Sequence, residues 1–344
     1  MKINKPALLR VMAAFAVVTV FTGGVHELRK SGGGAPDFPC QISGKQEVAI
    51  SIGKGATGTD IARLLFEGKV VKSSDAFFRV AVADPRSERI APGTHRVQIN
   101  LCATDALTQL LDPKRIVDLI NIFEGAWNSE IVSAMVAASF SKAEVNQAIK
   151  SVDLPLGFKI LEGLLFPAQY SFAAGTSAQS AISAMIERGV IEMNKAGISA
   201  GDGKYSPQQL LTIASITQAE SDTKDFAKVS RVIRNRLEKG MPLQMDSTVH
   251  YVKKVRGEIF LSTRSTLLNS PYNTYRKYGL PPGPIGNPGA EAMLAAVNPV
   301  PGDWIFFITV APGDTRFTSS LDQFNIWKAE YKKNLRAGVF GSAK

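Results

Sequence analysis

The run Ser206-Pro-Gln-Gln-Leu-Leu-Thr-Ile-Ala-Ser-Ile-Thr-Gln-Ala-Glu220-Ser221 puts a carboxylate on the apolar face of a helix. Ser206 reads as the N-cap, Pro207 as the first helical residue, and Gln209 stands where a capping box takes Glu or Gln. At about 100° per residue, Glu220 points the same way as Ile213, Ile216 and Thr217. A carboxylate in that position must find a partner, neutralise itself or line a cleft. A partly desolvated glutamic acid holds its proton to higher pH and can donate it near neutrality, chemistry that suits cleavage of a glycosidic bond. The helix alone leaves a second reading open, a helix-end Glu that reaches solvent or pairs with Arg231 or Arg234.

The 344 residues are 45% hydrophobic and 20% charged, enough for a real core and for two or three domains. Net charge is +10, which suits an anionic polymer or a lipid headgroup layer. No dense Lys/Arg tract, zinc-ligand spacing or nucleic-acid motif accompanies it, so nucleic acid is not an expected partner. Lys2, Lys5 and Arg10 precede an uncharged, mostly apolar stretch from Val11 to Val25, and Ser31–Gly34 reads as a flexible linker. The stretch is long for a signal-peptide core and short for a bilayer span, which Pro6 onward can extend if Arg10 snorkels. We read residues 1–30 as a cytoplasmic tip and an uncleaved single-pass anchor in the cytoplasmic membrane, with the bulk of the chain outside; a cleaved signal is the alternative. The two cysteines, Cys40 and Cys102, fit export, either as one disulfide or as two thiols.

After a linker at 31–45, residues 46–112 read as a small α+β module. Val48–Ile52 is a strand, Thr59 caps a helix to Glu67, Ser74–Val82 is a second helix, Thr94–Leu101 a strand with His95 on its surface, and Thr104–Leu111 a last short helix. Residues 115–123 read as one further strand, followed by helices at 129–138, 142–151 and 177–196. A helix from Phe226 to Lys239 sets Phe226, Val229, Val232, Ile233 and Leu237 on one side and stops at Gly240; Asn235 and Arg236 read as surface or capping groups. Residues 241–249 read as an extended polar region, ahead of Pro- and Gly-rich loops at 270–289. Such loops carrying Gln, Asp, Tyr and Asn suit sugar binding, with rings stacking on pyranose faces and amides bonding hydroxyls. A helix from Ala290, a strand at 304–310 and a helix at 321–335 complete the domain at 113–336, before a tail at 337–344.

These pieces together resemble the endolytic murein transglycosylases of the YceG-like (MltG-like) family. The match is carried by Leu161-Glu-Gly-Leu-Leu-Phe-Pro-Ala-Gln-Tyr170, Ile213–Glu220, Asn235-Arg-Leu237, Met241-Pro-Leu-Gln-Met-Asp-Ser-Thr-Val249, Ser270-Pro-Tyr-Asn-Thr-Tyr275, Gly279-Leu-Pro-Pro-Gly-Pro-Ile285, Asn287-Pro-Gly289 and Asn298-Pro299, in family order over roughly 45–335. The resemblance implies a membrane-anchored α+β protein, a LysM-like module followed by a mixed α/β catalytic domain. It implies that Glu220 is the catalytic acid and that the enzyme cuts the MurNAc–GlcNAc β-1,4 bond within nascent glycan strands near the membrane, limiting strand length and leaving 1,6-anhydro-MurNAc ends. Gln244, Asp246, Tyr272, Asn273 and Tyr275 are the candidates for the rest of the cleft. Glu162, Asn235 and Ser221 are supporting residues, with Glu162 pairing structurally rather than acting in the chemistry. No metal or cofactor is required; peptidoglycan glycan strands, the membrane and cell-wall synthases are the expected partners.

The chain departs from the family pattern at three places. Gln218 stands where many relatives carry a second Glu, which argues against a two-carboxylate mechanism; Gly313-Asp-Thr-Arg-Phe317 and Asp322-Gln-Phe-Asn325 lack the histidines of Gly-x-His-x-Phe and Glu-His-Asn. Two rival readings make other demands. A non-catalytic wall-binding scaffold predicts indifference to Glu220, and a hydrolytic muramidase needs a second acid, for which Asp246 is the candidate.

Overall fold

The structure, a computed structural model, describes residues 34–40, 46–256 and 262–340. The expected anchor lies outside them, as do 31–33 and 41–45 of the expected linker and 341–344 of the expected tail. No helix among the described residues is long and apolar enough to cross a membrane. The architecture is mixed α+β, in two compact units divided between Val117 and Asp118.

In the first unit, β1 (Glu47–Ile52) and β2 (Gly93–Gln98) pair antiparallel, from Glu47 opposite Gln98 to Ile52 opposite Gly93. Two helices, α1 (Gly58–Glu67) and α2 (Ser74–Ala83), lie between the strands in the chain, and α3 (Ala103–Leu110) follows β2. Ile50, Ile52, Leu65, Phe77, Val97 and Leu107 form the core. Thr57, not Thr59, caps α1: its hydroxyl accepts from the Asp60 amide, and the Asp60 carboxylate accepts from the Thr57 amide. His95 is buried rather than on the surface, because the two-residue period of β2 puts it on the same face as Val97. Its Nε2–H donates to the Ala91 carbonyl at 2.8 Å, and burial pushes its pKa down. Cys40 and Cys102 are joined in a disulfide. The segment before Cys40 is strapped down as well: the Asp37 carboxylate accepts from the Ala103 amide, and the Ser73 hydroxyl donates to the Pro36 carbonyl.

The single strand expected at 115–123 is two short ones in different sheets. β3 (Ile116–Val117) adds to β2, and β4 (Ile120–Asn121) pairs antiparallel with β5 (Gln169–Tyr170) in the second unit. Asp118, with φ of 55°, makes the break.

The second unit is built around α7 (Pro207–Glu220), preceded by α4 (Asn128–Ala137), α5 (Lys142–Ser151) and α6 (Ala178–Ala196). The Ser206 hydroxyl and the Gln209 side chain close the expected capping box. From Leu210 to Thr217 every residue is buried, so α7 has no solvent face over two turns. Against it pack α8 (Phe226–Glu238), α9 (Asp246–Lys253) and α11 (Ala290–Val297), whose Ala292, Ala295 and Ala296 permit close approach. The segment 161–166 reaches α7 through Gly163, where φ is +93° and a Cβ would lie 3.1 Å from the Leu211 side chain and 2.7 Å from the Pro284 ring. A short α10 (Thr263–Thr266), the hairpin β6–β7 (Phe306–Ala311 and Asp314–Thr318) and α12 (Leu321–Arg336) complete the unit. Sequence reading missed β7 and put 246–249 in an extended region, whereas Asp246 begins a helix. Because α7 is the central helix, Ser206→Ala, which removes its cap, is expected to lower stability by about 1 kcal/mol, read as a lower urea midpoint with an unchanged slope; Ser206→Asp should retain most of it.

Candidate active site

Glu220 is the last residue of α7, where the helix emerges from its buried stretch and the side chain becomes half-exposed. It pairs with neither Arg231 nor Arg234. Arg231 donates to the Val300 and Pro299 carbonyls, and Arg234 forms an ion pair with Asp202 at 2.7 Å. The partner of Glu220 is Ser247, whose amide and hydroxyl both donate to Oε1, at 3.1 and 2.6 Å. Desolvation by the surrounding protein pushes the Glu220 pKa up, the Ser247 hydrogen bonds oppose that, the Asp246 charge adds to it, and the Arg236 guanidinium weakly lowers it. The result is an acid that keeps its proton above the usual carboxylate range.

Asp246 opens α9, and its carboxylate accepts from the Tyr275 hydroxyl. The loop bearing Tyr275 is tied to α9 by two threonines: Thr274 Oγ1 accepts from the Met245 amide at 2.9 Å and lies 3.0 Å from Thr248 Oγ1. Asn273, expected to bond sugar groups, is completely buried and committed to its own loop. Its Nδ2 donates to the Thr266 and Leu268 carbonyls, and its Oδ1 accepts from the Tyr275 amide. Tyr272 lies in a ring cluster, 5.2 Å from Tyr251, which in turn meets Trp127 edge-on at 6.1 Å. Gln244 is exposed, with φ of 48°, and its amide donates to the Thr274 carbonyl. Ser221 ends α7, its hydroxyl buried without a hydrogen-bond partner among the described residues.

Two polar residues read as surface groups are internal. Asn235 holds the Gly302 and Trp304 carbonyls, and Arg236 holds those of Ile305 and Leu243. Both sit on the C-terminal turn of α8, where the chain segments at 302–305 and 243 expose carbonyls that nothing in the local sequence announces. Glu162 is buried and accepts from the Asn128 amide and the Tyr251 hydroxyl, each at 2.9 Å, and from Asn287 Nδ2 at 3.5 Å. Burial raises its pKa as well.

Beside Glu220 lies a cleft of about 320 Å³ lined by Glu124, Trp127, Gln218, Ala219, Ser247 and His250, among others. Gln218 accepts from the Gly289 amide at 3.0 Å, so it anchors the 287–289 turn to the end of α7. Arg256 stacks on Trp127, 4.0 Å from the ring centroid, and holds Glu130 through two nitrogens. Sequence reading missed Ser247, His250, Tyr251 and Trp127, none of which carries a distinguishing local pattern.

The combination decides the family when set beside known proteins: the model of the YceG-like family matches residues 50–330. The chain belongs to the YceG-like family. It is 31% identical over 318 residues to an endolytic murein transglycosylase of Bacillus subtilis, covering 85% of this chain and 87% of that one. An endolytic murein transglycosylase of Streptococcus pneumoniae is 29% identical over 330 residues, 86% of this chain but 60% of that protein. Among solved structures, a putative YceG-like protein of Listeria monocytogenes matches with a TM-score of 0.57 and 25% identity, over 82% of this chain and 99% of that one. Within this YceG-like chain, residues 50–330 take in most of the first unit as well as the site.

Proposed function

We infer that this protein is an endolytic murein transglycosylase, cleaving the MurNAc–GlcNAc β-1,4 bond inside glycan strands and leaving 1,6-anhydro-MurNAc ends. The observation that carries the chemistry is Glu220, a half-buried acid with its pKa raised, whose neighbour Ala219 and partner Ser247 line a polar cleft. A hydrolase commonly uses two carboxylates, one for the leaving group and one for water or the anomeric carbon. A transglycosylase needs one, because the substrate's own C6 hydroxyl is the nucleophile. Glu220 first protonates the glycosidic oxygen, and its carboxylate then takes the C6 hydroxyl proton as O6 closes onto C1. Asp246 is tied to Tyr275 and serves better as a fixed charge than as a base for water. Tyr272 and Tyr275 shape the sugar-binding side, and Gln244 is free to reach a hydroxyl or acetamido group.

The finer organisation follows from the same reading. Residues 1–30 anchor the chain in the cytoplasmic membrane with the catalytic unit outside, close to newly made strands and within reach of the synthases that make them. The first unit is LysM-like: its β1–α1–α2–β2 order supports this, and so does a groove of about 490 Å³ lined by Ala56, Gly58, Phe78, Val82, Asp84 and Glu88. The deciding experiment is mass spectrometry of uncrosslinked nascent strands digested by the full chain in detergent. Anhydro ends from internal cuts are expected. Reducing ends would turn the reading to a muramidase and make Asp246 its second acid, and binding without any cut would leave a scaffold.

A further inference from the structure

The surroundings of Glu220 distinguish its two carboxyl oxygens. Oε1 takes both Ser247 donors, the amide at 3.1 Å and the hydroxyl at 2.6 Å. These donors belong to the first turn of α9, whose cap residue, Met245, has no side-chain oxygen to offer. Helix starts leave amides in need of an acceptor, and here the acceptor is supplied from another helix, α7. We propose that Ser247 is a positioning residue for proton transfer: it pins Oε1 and reserves Oε2 as the oxygen that delivers the proton to the substrate and takes one back. The proposal rests on the transglycosylase reading. In that reaction Oε2–H protonates the glycosidic oxygen as the C1–O bond breaks. O6 then bonds to C1 and its proton returns to Oε2, so the carboxyl ends as it began and no water is consumed.

A residue that only capped α9 would behave differently. The Ser247 hydroxyl reaches across to Glu220 rather than back to its own helix, so its removal leaves the backbone of α9 paired and takes away the shorter of the two bonds that hold Oε1. It also removes a donor that favours the ionised form, whereas Asp246, one residue earlier, opposes ionisation by its charge. Adjacent residues thus bias the same acid in opposite directions. The other ionisable groups facing it are Arg236 of α8, held by the Ile305 and Leu243 carbonyls, and Tyr275, bonded to Asp246. His250 of α9 lines the neighbouring cleft, and α11, packed along α7, buries only Ala292, Met293, Ala295 and Ala296.

The test is the pH profile of bond cleavage by the full chain in detergent on uncrosslinked glycan strands. Ser247→Ala is expected to lower the limiting rate about tenfold at unchanged KM, since the amide alone holds the acid's orientation less firmly. It should also move the alkaline limb of the profile up by roughly one pH unit, because a hydrogen bond to a charged group has gone. Asp246→Asn should move the limb down, and Ser247→Thr, which keeps the hydroxyl, should bring it back toward the wild type. An unmoved limb in Ser247→Ala overturns the proposal. Should that variant be inactive at every pH, titration of ¹³C-labelled Glu carboxyls decides instead: a Glu220 resonance that titrates higher supports it, and one that titrates as in the wild type overturns it. Failure of the underlying reading is seen separately, as reducing ends in the wild-type products, because the limb is read from total cleavage whatever the ends.

Discussion

Glu220→Gln is expected to abolish formation of anhydro ends while making the folded chain more stable at neutral pH. The first effect follows from chemistry: glutamine has no proton to give the glycosidic oxygen and cannot take one from the C6 hydroxyl. Acid–base help of this kind is worth ~10²–10⁴-fold, and the remaining catalysis from positioning cannot replace it. The second effect follows from linkage. Burial raises the Glu220 pKa, so above the ordinary carboxylate value the native state still holds a proton that the unfolded chain has released. Native stability therefore falls as pH rises through that window, up to the raised native pKa. Glutamine keeps the size and an oxygen for Ser247 but removes the ionisation, so its advantage should be full above the window and shrink as pH drops toward the ordinary value. Two melting series, one near pH 4 and one near pH 7.5, together with counted anhydro ends, test both halves. A variant that cuts at the wild-type rate sinks Glu220 as the acid, and one whose relative stability does not change with pH sinks the desolvation account.

The sequence made α7 legible because every signal of a helix start was local: Ser206, Pro207 and Gln209 lie within four residues. The same locality explains the failures. Nothing near Met245 marks the start of α9, because the oxygen that meets its first-turn amide belongs to Glu220, 27 positions earlier. Asn235 and Arg236 look like the polar end of an amphipathic helix, and only the tertiary return of 302–305 gives them carbonyls to hold. His95 was misplaced for a different reason: the alternation was there, but a histidine on the core face competes with the expectation that polar residues face out. The break at Asp118 depends on a left-handed backbone angle that an aspartate tolerates without advertising it. Of the site, the acid was legible as a carboxylate out of place, and its family role came from the order of the motifs. The partner that orients it was not, since a serine beside an aspartate has no distinguishing pattern.

Asn287 is the position where one side chain is expected to matter most for stability. Its Oδ1 accepts from the Leu165 amide at 2.8 Å, and its Nδ2 donates to the Ala126 carbonyl at 2.8 Å and to Asn128 Oδ1 at 2.9 Å. Both Asn287 and Leu165 are completely buried, so no water can replace a missing partner there. Asn287→Ala strands the Leu165 amide and takes the donor from Asn128 Oδ1, although the Ala126 carbonyl keeps the Asn287 backbone amide, at a cost of about 2–4 kcal/mol. Asn287→Asp restores the acceptor but not the donor, and it sets a second carboxyl beside Glu162 Oε1, already buried and with its pKa raised. Two such groups cannot both ionise without cost. The aspartate variant should therefore approach the alanine variant at mildly acidic pH and fall below it as pH rises through the carboxylate range. Adding Glu162→Gln to Asn287→Asp should recover much of that pH-dependent part and little of the rest, a coupling that urea unfolding of the four proteins can measure. A loss under about 1 kcal/mol in Asn287→Ala, or no coupling to Glu162, would mean that the 126–128 and 162–165 segments are held together by their apolar packing rather than by this amide.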